Sequence, residues 1–368
     1  MRILVVTTWY PDPDAPETTP FVPRHVSAIG RDHEVHVVHV RLLNSSPATQ
    51  ESWGGVPVTR VGLDPRHPLS VVRALREIRR WARYCDVVHT MAFSSALVAA
   101  PAVVGRPWVH TEHWNGVLHP DVVNRWWERA AGLRHVLRLP TLVTGVSTLV
   151  NETLERFARP GRVRPLGNVV DVEGEVVPAR PSARTVSLVG VGSLIDRKGP
   201  DVAVETVAWL REQGIPATLT WDGTGPMLQS CFERAEALGI SEFVTFNGFR
   251  GPEEVWGDLR AADVFVLPTA SETFCVAAAE ALAAGRPVVM GDRGGQRDFV
   301  TPTTGRLVST RSAQAYGRAV VEVLQDTGID SPEELARGIR ARYGAASVAE
   351  QLTALYEEAR ALAGARHR

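Results

Sequence analysis

The chain holds forty basic residues, and the only lysine among them is Lys198, in the run Gly192-Ser193-Leu194-Ile195-Asp196-Arg197-Lys198-Gly199. Arginine serves everywhere else. A position that keeps the compact, three-donor ammonium points to a task that the planar guanidinium fork performs poorly. Holding a phosphate as a point charge is such a task, and a loop that opens a helix adds backbone N–H groups and a favourable dipole. The bland alternative is a surface lysine that survived by chance. A second constellation is Glu272 and Glu280, with E-x7-E spacing inside Ser271-Glu272-Thr273-Phe274-Cys275-Val276-Ala277-Ala278-Ala279-Glu280-Ala281. Glu272 falls in a turn, and Glu280 within the alanine-rich helix that follows it. First-turn N–H groups then lie beside Glu272. Carboxylates accepting from hydroxyls, with amides and a cation on phosphate, suit a ligand that carries hydroxyls on both sides of a diphosphate. In a purely structural role Glu272 would serve the helix dipole and Glu280 a solvated face. The apolar neighbours of Glu280 speak against the second, because a carboxylate among them needs a partner.

Other signals compete. Gly190-Val191-Gly192-Ser193-Leu194-Ile195 opens like a dinucleotide fingerprint, but Ile195 stands where its third glycine belongs. Asp12-Pro13-Asp14 has the D-x-D form of a metal site, yet a proline-rich loop after a first strand favours a turn. No other metal spacing is present, and no metal is expected. His113 can cap a strand end or serve a site. Trp114 can stack on a flat ligand face or pack. Arg73, Arg76, Arg80 and Arg83 recur at helical spacing opposite Val72, Leu75 and Ile78. That is a solvated stripe, with peripheral membrane contact through the basic N-domain as its rival; Trp126-Trp127 adds slightly to the rival.

A chain of 368 residues suits two domains, and 44% hydrophobic with 22% charged residues is enough to give each a core. The net charge of −1 hides an asymmetry, with 20 basic and 14 acidic residues before position 171 and 20 and 27 after it. The first half therefore favours anionic partners. Near-neutral charge and the lack of a module signature exclude nucleic acid. Three scattered cysteines (Cys85, Cys231, Cys275) fit a reducing compartment. A short apolar start and the absence of a long apolar run predict a cytoplasmic protein.

Short β-branched runs alternate with amphipathic segments, the pattern of parallel sheets covered by helices. Strands are predicted at 2–6, 34–40, 56–61, 86–89, 107–111, 141–145 and 163–166, with helices at 22–30, 70–84, 121–139 and 148–157. The alternation restarts after a Pro/Gly-rich linker. There strands are predicted at 185–190, 217–221, 243–246, 264–267 and 287–290, and helices at 201–213, 227–238, 253–261 and 276–284 and from 312 to the end. The domains are expected at 1–167, 185–345 and a terminal helix 346–368, with 168–184 as linker. Two doubly wound domains facing across a cleft place ligands at their C-terminal strand ends.

In this order and spacing the motifs resemble the retaining, family-4-type glycosyltransferases of the GT-B fold, over nearly the whole chain. The E-x7-E pair carries the resemblance. Gly192 to Gly199 is similar to the family's phosphate loop, Asn168-Val169-Val170-Asp171 to its linker motif and Phe246-Asn247-Gly248-Phe249 to its nucleobase turn. Tyr343 to Tyr356 is similar to the terminal helix that returns to the N-domain. His113 falls where the family has a histidine at a strand end. The resemblance implies metal-independent transfer of a hexosyl unit, with retention, from a nucleoside-diphosphate sugar to a hydroxyl acceptor that is a small molecule, glycan or glycolipid. UDP-sugar is the first expectation and GDP-sugar the alternative, with no further cofactor. Glu280 would hold the ribose and Glu272 the donor sugar. Lys198 with Arg197 would hold the diphosphate, and Arg250 would lie beside the base. Gly192, Ser193, Thr273, Phe274, Cys275 and Val276 complete the donor side; His113 would approach the donor sugar, with Thr19 and Trp114 on the acceptor side. Ser193 stands where relatives carry arginine, which leaves Arg197 as substitute. Thr273 and Cys275 replace common glycines. A sugar-nucleotide epimerase and an NAD-dependent oxidoreductase are the alternatives.

Overall fold

The computed structural model describes residues 1–12, 21–120, 125–170, 174–176, 178 and 185–365, without the Trp126 side chain. It divides into two compact units, Met1–Val169 with Ala345–Arg368, and Val170–Gly344. Much of the expected linker, together with Asp14, Thr19, Asp121 and Asp171, lies outside the described residues.

Among the described residues the first unit has an eight-stranded sheet in the order β3-β4-β2-β1-β5-β6-β7-β8. Its strands are β1 (Arg2–Thr7), β2 (Glu34–Leu42), β3 (Thr49–Trp53), β4 (Val56–Leu63), β5 (Val87–Met91), β6 (Trp108–Glu112), β7 (Leu142–Gly145) and β8 (Val163–Pro165). All pairs are parallel except β3 with β4. Ile3, Val5, Val37 and Val109 are fully buried under α1 (Phe21–Gly30) and the C-terminal helix Ala345–Gly364. That helix brings Val348, Leu352 and Tyr356 into the same core. Burying one such aliphatic side chain stabilises by about 1.5–3 kcal/mol, so the chain's last segment is held mainly by packing.

Three expectations need correction here. No strand is predicted between 40 and 56, yet Thr49–Trp53 pairs antiparallel with β4 as an edge strand; its polar TQESW run hides the alternation. Phe93–Val103 is a helix, α3, that periodicity does not reveal, because its sequence is apolar all round and carries Pro101 inside. The expected long helix at 121–139 is an α-turn, Arg125–Arg129, followed by a 3-10 segment, Ala130–Arg138. Arg73, Arg76 and Arg80 of the arginine stripe lie on α2 (Pro68–Ala82), and Arg83 caps its C-terminus. Part of it has local partners, since Arg73 donates to the Ser45 carbonyl and Arg80 is ion-paired with Glu77 at 3.6 Å. No helix among the described residues is long and apolar enough to cross a membrane.

The second unit has a six-stranded, wholly parallel sheet, β11-β10-β9-β12-β13-β14. The strands are β9 (Val186–Val191), β10 (Ala217–Asp222), β11 (Val244–Gly248), β12 (Val264–Leu267), β13 (Val288–Gly291) and β14 (Gly305–Val308). The last was not foreseen; GRLV is short and half-buried. Each strand order reverses beside the first strand of its own unit, and such a switch opens a crevice at the C-terminal strand ends. The helix Val276–Ala283, whose alanines give high helix propensity, lies against β13, where Val288, Val289 and Met290 are fully buried.

Candidate active site

At the C-terminal end of β9 the chain passes Gly192 and turns through the 3-10 segment Asp196–Lys198. The left-handed Gly199 then caps the helix Pro200–Glu212. Gly223 lies against this loop so closely that a Cβ there would sit 2.1 Å from the Gly192 carbonyl oxygen. From the end of β12, Thr269 and Glu272 come down beside Lys198. A single carboxylate oxygen, Glu272 Oε1, accepts from Lys198 Nζ at 2.6 Å, from Thr269 Oγ1 at 2.8 Å and from Arg197 Nη1 at 3.2 Å. Arg197 Nη1 also donates to the Ser271 carbonyl at 2.6 Å.

Residues read separately from the sequence, one for phosphate and one for sugar, are therefore in direct contact. Burial alone would push the Glu272 carboxyl up, but the Lys198 and Arg197 charges and the bonds from Lys198 and Thr269 hold it below its ordinary range. An ammonium has three donors and spends one on Glu272, so the geometry aims a part-buried cation whose remaining donors can serve an anion.

Glu272 is fixed from behind. Its N–H donates to the Arg293 carbonyl and its carbonyl accepts from Gly295 N–H. A Cβ on Gly294, at φ 140°, would stand 2.3 Å from the Glu272 carbonyl oxygen, so position 294 admits only glycine. These supports, with Thr269, are what sequence reasoning missed. The glycine pair was visible as a signal; Thr269 needs the fold.

The helix Val276–Ala283 begins after Cys275, a non-glycine residue at φ 73°. Burial, then the Glu272 charge, pushes the Cys275 thiol up to about 12, which keeps it protonated near neutral pH. Left-handed backbone costs a non-glycine residue about 1–3 kcal/mol. Cys275→Gly is expected to keep the melting point within a few degrees, as relieved strain offsets lost burial. Cys275→Val, β-branched at the same φ, is expected to lose more than ~2 kcal/mol in urea unfolding. The Phe274 ring is fully buried against Phe299 and Tyr343, so on the donor side only its backbone can meet a ligand. Val276 supplies a first-turn N–H, and Thr273 is half-buried beside it. Glu280 is buried within the helix, and Ser193 is exposed.

At the end of β11, Arg250 spends its side chain on Glu254 at 2.7 Å and Asp258 at 3.7 Å. Its backbone remains for any base. Asn247 donates to the buried Asp222 at 2.8 Å; burial and the neighbouring Asp258 raise the Asp222 carboxyl to about 6.

In the first unit His113 follows β6 and is buried. Phe21 stacks on its ring at 4.7 Å, His25 meets it edge-on at 5.2 Å, and Nδ1 lies 3.0 Å from Asn168 Oδ1. Burial first, then His25, His89 and His110, hold it well below the ordinary histidine range. Glu112 Oε1 accepts from the N–H groups of His113 and Trp114. Trp114 packs on Trp127 at 5.1 Å, and Trp127 is itself buried and donates to the Gly116 carbonyl. Asp12 of the D-x-D run is ion-paired with Arg41 at 2.6 Å. Among the described residues no group of three or more His, Cys, Asp or Glu could hold a metal ion.

Two family profiles match, "Glycosyltransferase Family 4" over residues 25–173 and "Glycosyl transferases group 1" over residues 182–342. The 2-deoxystreptamine N-acetyl-D-glucosaminyltransferase of Streptomyces fradiae is 31% identical over 72% of this chain and 69% of its own length. A D-inositol 3-phosphate glycosyltransferase of Corynebacterium urealyticum is 35% identical over 55% of this chain, and the match spans about half of that relative (48%). A GDP-mannose-dependent mannosyltransferase of Mycobacterium tuberculosis is 32% identical over 42% of each chain. In fold, the chain is similar to Anabaena HepE, solved with UDP and glucose, at a TM-score of 0.76 with 18% identity, covering 97% of this chain and 99% of that one. The sucrose-phosphate synthase of Thermosynechococcus elongatus gives 0.76 and 20% over the same shares. Two parallel α/β units, the E-x7-E helix and these matches agree: the chain belongs to the group-1, family-4 type glycosyltransferases of the GT-B fold.

Proposed function

We propose that this glycosyltransferase moves a hexosyl unit from a nucleoside-diphosphate sugar to a hydroxyl acceptor, retains the anomeric configuration and uses no metal. The observation that carries the reading is the triad of donors on Glu272 Oε1, Lys198 above all. As the glycosidic bond breaks, the departing diphosphate gains negative charge. The remaining Lys198 donors, Arg197 and the first-turn amides near Val276 favour that charge over the ground state. Glu272, held ionised, accepts from hydroxyls of the donor sugar, and Glu280 from the ribose. Fixed cations at the leaving group make a divalent ion unnecessary. Retention rests on the E-x7-E resemblance. UDP-sugar is the first expected donor and GDP-sugar the second. Both curated relatives with the longest matched stretches above act on cyclitols by name, so 2-deoxystreptamine and inositol 3-phosphate are the first acceptors to try.

A thermal-shift panel tests this, because a bound ligand raises apparent stability by about 2.7 kcal/mol at a hundredfold excess over Kd. UDP or GDP, with UDP-glucose, UDP-N-acetylglucosamine and GDP-mannose, is expected to raise the melting point equally with and without EDTA, while NAD leaves it unchanged. Donor turnover is expected to survive EDTA as well. A rate that collapses with chelator and returns with Mg²⁺ would refute the metal-free reading.

A further inference from the structure

We infer that Asn168 is a positioning residue that locks His113 as the Nδ1–H tautomer, so that the ring presents the Nε2 lone pair, and not a proton, to a substrate hydroxyl. The hydroxyl as partner rests on the glycosyl-transfer reading above; the tautomer does not. Asn168 Oδ1 can only accept, and it lies 3.0 Å from Nδ1. Nδ1 must therefore carry the hydrogen, and in a neutral imidazole the other nitrogen is then an acceptor. Nε2 is the one polar atom of the ring left over: it is buried and has no hydrogen-bond partner among the described residues. The ring has little freedom to turn. Phe21 stacks on one face at 4.7 Å and His25 stands edge-on at 5.2 Å. His25 in turn is fixed through its Nδ1 to the Phe21 carbonyl at 3.0 Å.

The surroundings also keep the ring neutral. The titratable groups facing it are His25 from α1, His89 from β5 and His110 from β6, each of which opposes a charge on it. The Glu112 carboxylate faces the N–H groups of His113 and Trp114 and His110 Nε2 at 3.4 Å. Asn168 is itself buried. As a neutral amide it fixes the tautomer, and its pull toward the charged ring is outweighed by burial and the three histidines, whereas an aspartate in its place would draw a proton onto the ring. Orientation with neutrality is thus the property that this pair supplies. His113 accordingly acts as a hydrogen-bond acceptor, with no part as a general acid.

Two-bond ¹H–¹⁵N correlation spectra of the labelled full chain, with the His113 signals assigned by their loss in His113→Ala, read the tautomer directly. The expected pattern is a protonated Nδ1 and a pyridine-type Nε2 at pH 7.5, shifting toward a mixture in Asn168→Ala. Kinetics with whichever of UDP-glucose, UDP-N-acetylglucosamine or GDP-mannose turns over gives the second readout. Asn168→Ala is expected to lower kcat/KM by ~10–100-fold, the scale of a misplaced contact group, with UDP or GDP affinity unchanged. Asn168→Asp keeps the acceptor but favours the imidazolium, so its activity is expected to rise with pH through a new ionisation that the wild type lacks, and to come within ~10-fold of wild type above it. An Nε2–H tautomer in the wild type, or an Asn168→Asp pH profile parallel to wild type, overturns the inference. Absence of any turnover, with the expected tautomer and its loss in Asn168→Ala, would instead count against the glycosyl-transfer reading and leave the positioning role supported.

Discussion

Lys198→Ala is expected to lower donor turnover by ~10²–10³-fold, the usual loss when one preorganised donor to a developing anion is removed. The ammonium is the cation nearest Glu272, at 2.6 Å, and its stem passes Gly192. Lys198→Arg is expected to fail as well. Arg197 already brings a fork to the same oxygen at 3.2 Å, and a second fork has no three-pronged point charge to offer both the carboxylate and a phosphate. The same substitutions act on stability with a definite sign. The folded Glu272 carboxyl lies below its ordinary value. Its contribution is thus fully present above the unfolded carboxyl's range and lost as pH falls through the folded one. Lys198→Ala raises the folded value, so the melting-point gap between wild type and variant is expected to be widest near neutrality and to close on acidification. The gap corresponds to less than the ~3–5 kcal/mol of a fully broken buried pair, because Arg197 and Thr269 still donate. Steady-state rates and melting curves from pH 3 to 8 check both parts. Near-wild-type rates in both variants would return this lysine to a surface accident.

The elements that position these residues were legible wherever their periodicity was clean. The alternation around β1, β2, β9 and β12 and the amphipathic helices between them is a local pattern. Local patterns failed at Phe93–Val103, where every face is apolar, and at the edge strand Thr49–Trp53, where neither face is. The site divides in the same way. Lys198 and Glu280 stood out because each contradicts its surroundings, a lone lysine in one case and a carboxylate among alanines in the other. Glu272 was legible through its spacing. Thr269, the Gly294 buttress and Asn168 were not singled out for their roles, because each acts through a contact with a distant segment that only the folded sheet order creates. The direction of the Phe274 ring was not legible for a related reason: motif spacing gives position along the chain, whereas the ring's turn into the Phe299 and Tyr343 cluster depends on the helix Pro332–Tyr343.

The two acids are expected to fail differently when neutralised. Glu280→Gln is expected to weaken binding of free UDP or GDP by ~10-fold or more, since a buried carboxylate that accepts from ribose hydroxyls contributes to the nucleotide in ground and transition state alike. Such an interaction, lost from both, appears chiefly in KM. Glu272→Gln is expected to leave the free diphosphate's affinity nearly unchanged and to lower kcat by ~10²-fold. The donor sugar's ring gains positive character as its bond to phosphate lengthens, and a carboxylate beside it stabilises that state more than the resting sugar. The amide retains an oxygen for Lys198 and Thr269, so the fold survives and the comparison stays clean. What it removes is the charge that Lys198 and Arg197 now balance, which leaves two cations facing the diphosphate with less restraint. For that reason the Glu272→Gln variant is expected to bind UDP or GDP slightly more tightly than wild type while turning the sugar nucleotide over poorly. Calorimetry with the free diphosphate, beside steady-state kinetics with the sugar nucleotide, separates the two roles. Normal binding and normal turnover in both variants would remove the E-x7-E pair from the donor site, and with it the assignment of Lys198 to the leaving group.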